Sequence, residues 1–150
     1  MAVKIERLTT NNFDVIKEIV QIEVEAFGEG GLNQWGLTPL LHHGAVYVLY
    51  IADKPVGVIE YLRDMEEVNQ AYLYGLAVNS DYQGQGLGEQ LLDYSLQQLQ
   101  KLGIVTVELT VAPNNQAALK LYQKFGFKKK EFRKQEYGPN EDRLIMQLRF

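Results

Sequence analysis

The stretch AVNSDYQGQGLGEQLLDYSL, residues 77–96, sets Gly84, Gly86 and Gly88 within five positions, directly before leucines spaced as on an amphipathic helix. A glycine loop leading from a strand into a helix N-terminus exposes backbone N–H groups at the positive end of the helix dipole, which is where phosphate binds. Two phosphate fingerprints fail on it. A P-loop needs Lys-Ser or Lys-Thr after its last glycine, and Glu89 and Gln90 stand there. The dinucleotide fingerprint needs GxGxxG in the first unit of a parallel sheet; these glycines make GxGxG, with Glu89 in the last glycine's place, after an antiparallel meander. A tight turn alone explains one of the glycines and not the rest.

Outward from that stretch the chain reads as alternating elements. VKIERL alternates apolar Val3 and Ile5 as a first strand. With Asn11 or Asn12 as the cap, Phe13, Ile16, Ile19, Val20 and Phe27 recur at helical spacing up to Gly28. GEGGLNQWG (28–36) breaks the pattern and predicts a mobile loop or the entry to a short helix near TPLLHH. AVYVLYI and VGVIEYL flank ADKP as a hairpin, and AYLYGLAV continues the meander, with Gly75 marking a bulge or a close approach by another group. Leu87, Leu91, Leu92, Leu96, Leu99 and Leu102 then put one apolar stripe on a helix that Gly103 ends. IVTVELTV is a buried strand, and QAALKLYQKF a helix capped by Asn114 or Asn115 and stopped by Gly126. Two last strands, near KKKEFRKQEY and RLIMQLRF, flank the turn GPNED. The order β-α-(α)-β-β-β-α-β-α-β-β predicts an α/β (α+β) fold, a mixed and largely antiparallel central sheet flanked by helices, in one domain over residues 1–150.

Bulk properties narrow the function classes. With 46% hydrophobic and 23% charged residues the chain has a globular balance that disfavours disorder. It has no cysteine, which removes disulfides, thiolate nucleophiles and cysteine metal sites. MAVKIERLTT lacks the apolar core of a signal peptide and no apolar run approaches membrane-spanning length, so a cytoplasmic protein with no membrane partner is expected. A net charge of −4 and a pI near 5.2 disfavour nucleic acid and suit a cationic substrate. Lys128, Lys129, Lys130, Arg133 and Lys134 read as a solvated strand edge whose charges discourage edge pairing. His42 and His43, without carboxylates at ligand spacing, predict surface histidines and no metal site.

QGQGLG (Gln83 to Gly88) fits the pattern Q/R-x-x-G-x-G/A, and NQAALKLYQKFGF (Asn115 to Phe127) follows N-x-x-A-x-x-L-Y-x-k-x-G-F after the expected strand. On these two signatures the chain resembles the GNAT superfamily of acetyl-CoA-dependent N-acetyltransferases. The resemblance implies that the backbone of Gln83, Gly84, Gln85, Gly86, Leu87 and Gly88, with Glu89 at the helix start, cradles the pyrophosphate of acetyl-CoA. It implies that the main chain of Leu76, Ala77 and Val78 pairs with the pantetheine arm. Asn115 would bond the pantetheine or cap its helix, and Tyr122 would reach the thioester sulfur.

Acetyl transfer needs a neutral amine, an activated carbonyl and a proton for the departing thiolate. A backbone N–H at Leu76 or Val78 suits the oxyanion, and Tyr122 is the expected acid. Many relatives carry a glutamate base at the position matching Thr110 or at that matching Tyr72, and this chain has neither. Glu108, on the same strand face as Thr110, and Glu60 are the alternatives, each with a plain reading as a solvated strand residue. Glu25, Phe27, Trp35 and Tyr137 are expected to line the acceptor pocket, Trp35 as a binding lid or as an anchor of its loop. EYGPNEDRLIMQL also resembles the hairpin of relatives that acetylate protein N-termini. The acceptor is a small amine or a protein N-terminus or lysine, and the rival reading is a non-catalytic acyl-CoA-binding sensor. A homodimer through an edge strand is common among similar proteins.

Overall fold

The computed structural model describes residues 2–150. Seven strands and four helices follow in the order β1 (Val3–Arg7), α1 (Phe13–Phe27), α2 (Gln34–His43), β2 (Ala45–Ile51), β3 (Lys54–Arg63), β4 (Gln70–Val78), α3 (Leu87–Lys101), β5 (Thr106–Val111), α4 (Gln116–Lys124), β6 (Lys128–Arg133) and β7 (Arg143–Arg149). Short 3-10 turns occupy Gly28–Gly30 and Ser80–Tyr82. The strands are hydrogen-bonded in the order β1-β2-β3-β4-β5-β7-β6, mostly antiparallel, with β4 and β5 in parallel. This is the expected mixed sheet in the expected order.

The chain forms two compact units: residues 1–62 with 74–98, and residues 63–73 with 99–150. In the first, β2 is buried along its whole length because helices cover both of its faces. Val46, Val48 and Tyr50 of β2, Val58 of β3 and Ala77 of β4 meet Ile16, Ile19 and Ile22 of α1 and Leu37, Leu40 and Leu41 of α2 in one core. On the opposite face Tyr47 packs edge to face on Tyr61 and Tyr94, and the Tyr61 and Ser95 hydroxyls bond at 2.7 Å. Asn12 caps α1, its Oδ1 accepting from the amides of Asp14 and Val15.

Two sequence expectations change here. The irregular segment is shorter than GEGGLNQWG suggests, because Asn33 caps α2 and places Trp35 on its first turn, 81% exposed rather than anchored in the core. Phe13 and Phe27, which recur at helical spacing with Ile16 and Ile19, are 60% and 43% exposed, while Ile22 and Glu23 are buried.

In the second unit β5 pairs with β7 from Thr106↔Arg149 to Val111↔Leu144, and β4 adds Gln70, Ala71 and Tyr72 in parallel. Val107, Leu109, Met146 and Leu148 share one buried face. β6 is the sheet edge, and all six of its residues are exposed. Leu102 falls beyond the end of α3 and is 47% exposed. Both α3 and α4 end in the paired bonds that a left-handed glycine permits: Gly103 to Gln100 and Ile104 to Leu99, then Gly126 to Gln123 and Phe127 to Tyr122.

Candidate functional site

In the first unit the glycine loop enters α3 with Gly84 at φ 80° and Gly86 at φ 75°, both left-handed, and no atom lies within 4 Å of where a Cβ would stand on either. Side-chain bulk would occupy that open space, and an L-residue would be strained there. Gly88 has no such requirement; its Cβ would make an ordinary 3.7 Å contact with Val78. The Gly86 carbonyl accepts a helical bond of α3 from Gln90, and the amides of Leu87 and Gly88 stand ahead of it in the first turn, where a helix's own carbonyls do not reach. Gln83 folds back, its Nε2 donating to the Val78 carbonyl at 3.2 Å, and ties the loop to the end of β4. Leu76, Ala77 and Val78 precede it on that strand.

Gly75 proves to be the close-approach case. A Cβ there would lie 2.7 Å from Oε1 of Glu60 and 3.7 Å from Cε2 of Phe27. Glu60 is wholly buried on β3 and faces Glu23 of α1, which is 1% exposed. Burial first, and Glu23 second, hold the Glu60 carboxyl well above its ordinary value of 4.5. Glu23 Oε2 accepts from the Leu32 amide at 3.3 Å, while its Oε1 and both oxygens of Glu60 are buried without hydrogen-bond partners. Glu23 thus faces Glu60 closely enough to bias its proton, but not with the geometry of a formed hydrogen bond. Sequence reasoning missed Glu23; the sole signal was a carboxylate on the helical stripe itself, three after Val20 and four before Phe27. Glu25, the residue singled out instead, accepts a 3.4 Å bond from the Ser80 hydroxyl and is exposed.

In the second unit Tyr122 is 8% exposed on α4 and packs edge to face on Phe127, ring centroids 5.5 Å apart. Burial pushes its phenol up to about 12. Asn115 caps the same helix, its Oδ1 accepting from the Ala118 amide at 3.2 Å. Tyr72 and Thr110, which fill the two positions where a glutamate was looked for, bond to each other through their hydroxyls at 3.1 Å. Burial, then Tyr137 and Glu136, push the Tyr72 phenol up to about 12 against the lowering effect of Thr110, so Tyr137 is brought to this pair. The Tyr137 ring also carries the Arg143 guanidinium 5.0 Å from its centroid. Oε2 of Glu108 accepts from Lys130 and from Gln147, so that oxygen is already claimed twice. Among the described residues no cluster of three or more His, Cys, Asp or Glu could hold a metal ion, and no helix is long and apolar enough to cross a membrane.

Residues 14–127 match the model of the acetyltransferase (GNAT) family. The [ribosomal protein bS18]-alanine N-acetyltransferase of Escherichia coli (strain K12) is 39% identical over 84 residues, covering 54% of this chain and 57% of that relative. The chain therefore spans only a little over half the length of the first relatives it matches. The enzyme of the same description from Haemophilus ducreyi (strain 35000HP / ATCC 700724) is 32% identical over 149 residues, 96% of this chain and 98% of the relative. The crystal structure of the ribosomal-protein-S18-alanine N-acetyltransferase from Escherichia coli superposes with a TM-score of 0.75 at 26% identity, covering 99% of this chain and 94% of that one.

Proposed function

This chain belongs to the acetyltransferase (GNAT) family, and on that premise we propose that it moves the acetyl group of acetyl-CoA onto a primary amine, with a protein N-terminus as the acceptor. The observation that carries the reading is the open, left-handed glycine loop at the start of α3, where a phosphate can approach the helix N-terminus. Acetyl-CoA bound there supplies an acetyl group activated as a thioester. The main chain of Leu76 to Val78 offers donors to the pantetheine and, at Leu76 or Val78, to the oxyanion. Asn115 keeps its Oδ1 for the helix cap and has its Nδ2 left to bond the pantetheine, so its two expected roles are compatible. Tyr122 donates to the sulfur. Of the glutamates that could take a proton from the amine, Glu108 is already bonded to two donors, whereas both oxygens of Glu60 lack a hydrogen-bond partner, and the base is assigned to Glu60 together with the Glu23 carboxyl it faces.

The similarity over nearly the whole chain to an alanine N-acetyltransferase supports a protein N-terminus over a small amine. Such an acceptor places the protein in the cytoplasm. A homodimer would form through β1, because the opposite edge, β6, presents repelling lysines. Calorimetry with coenzyme A on wild type and Gly86→Val, followed by thiol release with peptides of free N-terminus, tests the central reading. Binding lost in the folded variant, and thiol released with wild type, are expected. Coenzyme A binding with no thiol released by any amine would leave the sensor reading in its place.

A further inference from the structure

Glu23 and Glu60 are sealed inside the first unit with more hydrogen-bond acceptors than the fold satisfies. One of their four carboxyl oxygens has a partner, the Leu32 amide, and the other three have none. Buried acceptors left unpaired destabilise a fold, so structural need alone does not account for them. β4 makes room for the pair with a glycine, since any Cβ at Gly75 would collide with Oε1 of Glu60. The Phe27 ring borders the same point from the end of α1, its Cε2 3.7 Å from where that Cβ would stand, and the residue is 43% exposed to solvent.

We infer that the Glu23–Glu60 carboxyl pair seats the primary ammonium of the acceptor, which enters past Phe27. Two carboxylates in apolar surroundings cannot both stay charged, so the pair keeps one proton and one negative charge. A primary ammonium brings one positive charge and three N–H donors, and the pair offers one negative charge and, with one oxygen carrying the retained proton, two oxygens without a hydrogen-bond partner. Glu23 is the charged group acting on Glu60; Gly75 from β4, Phe27 from the end of α1 and Leu32 from the following loop bring none. An N-acetylated terminus has neither the charge nor the donors, so the product is released by the same site that seats the substrate.

The catalytic half of this inference rests on the acetyl-transfer reading. An N–H bond of the seated ammonium breaks and its proton passes to the ionised carboxylate of the Glu23–Glu60 pair. The freed nitrogen lone pair forms the C–N bond at the thioester carbonyl. The C–S bond breaks, the sulfur takes that electron pair, and the second N–H proton ends on the sulfur. The pair returns the extra proton to water once the amide has left.

Calorimetry on the full chain, saturated with coenzyme A, with a short peptide beginning in alanine and with its N-acetylated twin, tests the seat without turnover. The free-amine peptide should bind at least about tenfold more tightly than its twin. Glu60→Gln, Glu23→Gln and Gly75→Ala, whose methyl displaces the Glu60 carboxyl, should each remove that preference and leave coenzyme A affinity unchanged. Equal affinity of wild type for both peptides, or an undiminished preference in all three variants, would overturn the inference and make the pair structural; the wild-type comparison decides even if a variant does not fold. An amine seated without thiol release sinks the acetyl-transfer reading alone. Turnover with an undiminished preference in every variant sinks this inference alone.

Discussion

Burial raises the Tyr122 phenol to about 12, and that changes what the residue can do. Full proton transfer to a thiolate, whose conjugate acid lies near 8.5, would be uphill by about 5 kcal/mol. In the proposed transfer Tyr122 would act as a hydrogen-bond donor to the sulfur and not as a full proton donor. Tyr122→Phe should slow single-turnover transfer by about 10²-fold, the low end of general-acid effects, and leave coenzyme A affinity intact. A parent-like single-turnover rate in the folded variant would reduce Tyr122 to packing against Phe127. Glu60 gives a second test at this scale. Its folded carboxyl lies above the unfolded value of 4.5, so the folded state holds the proton more tightly. The stability this contributes is fully present below the unfolded value and is lost as pH rises toward the raised one. Thermal melts at pH values rising from the unfolded value of 4.5 should show wild type losing ground to Glu60→Gln. Parallel curves would mean that Glu60 titrates normally.

At the scale of elements, the end of α4 fixes Tyr122. Gly126 at φ 95° lets the Phe127 amide reach back to the Tyr122 carbonyl, and the Phe127 ring then packs on the Tyr122 ring as the apolar contact that accompanies such a helix end. Gly126→Ala forces an L-residue into that conformation with a Cβ 3.3 Å from Cδ1 of Leu148. It should cost about 1–2 kcal/mol, read as a lower denaturant midpoint at constant slope. An unchanged midpoint would mean the turn relaxes without strain. The start of α3 shows the same economy, with left-handed glycines at Gly84 and Gly86 and none required at Gly88.

At the scale of the molecule, β4 and α3 each run through both compact units, β4 changing unit after Leu73 and α3 after Gln98. Neither unit can unfold without breaking the backbone bonds of an element it shares with the other. We propose that the chain melts as one domain, with calorimetric and van't Hoff enthalpies equal. Two separable transitions would sink that. The acidic net charge of −4 coexists with a basic edge at β6, so overall charge alone does not describe what each surface presents.

Local sequence was enough to determine the order of elements, the helix caps to within one of two neighbouring asparagines, the glycine stops of α3 and α4, and the loop before α3. Each follows from periodicity or from a backbone conformation that few residues tolerate, and both are written within a few positions of the chain. The partners of the carboxylates were not legible in this way. Glu108 read as a free strand residue until β6 and β7 brought Lys130 and Gln147 to it. Tyr72 and Thr110 lie 38 positions apart and meet through parallel pairing of their strands. Glu23 and Glu60 belong to a helix and a strand 37 positions apart, and Gly75, a further 15 along, supplies the space between their side chains and the sheet. Periodicity assigns a side chain to a face, but what it meets there depends on which distant segment packs over it, and only the tertiary structure decided that.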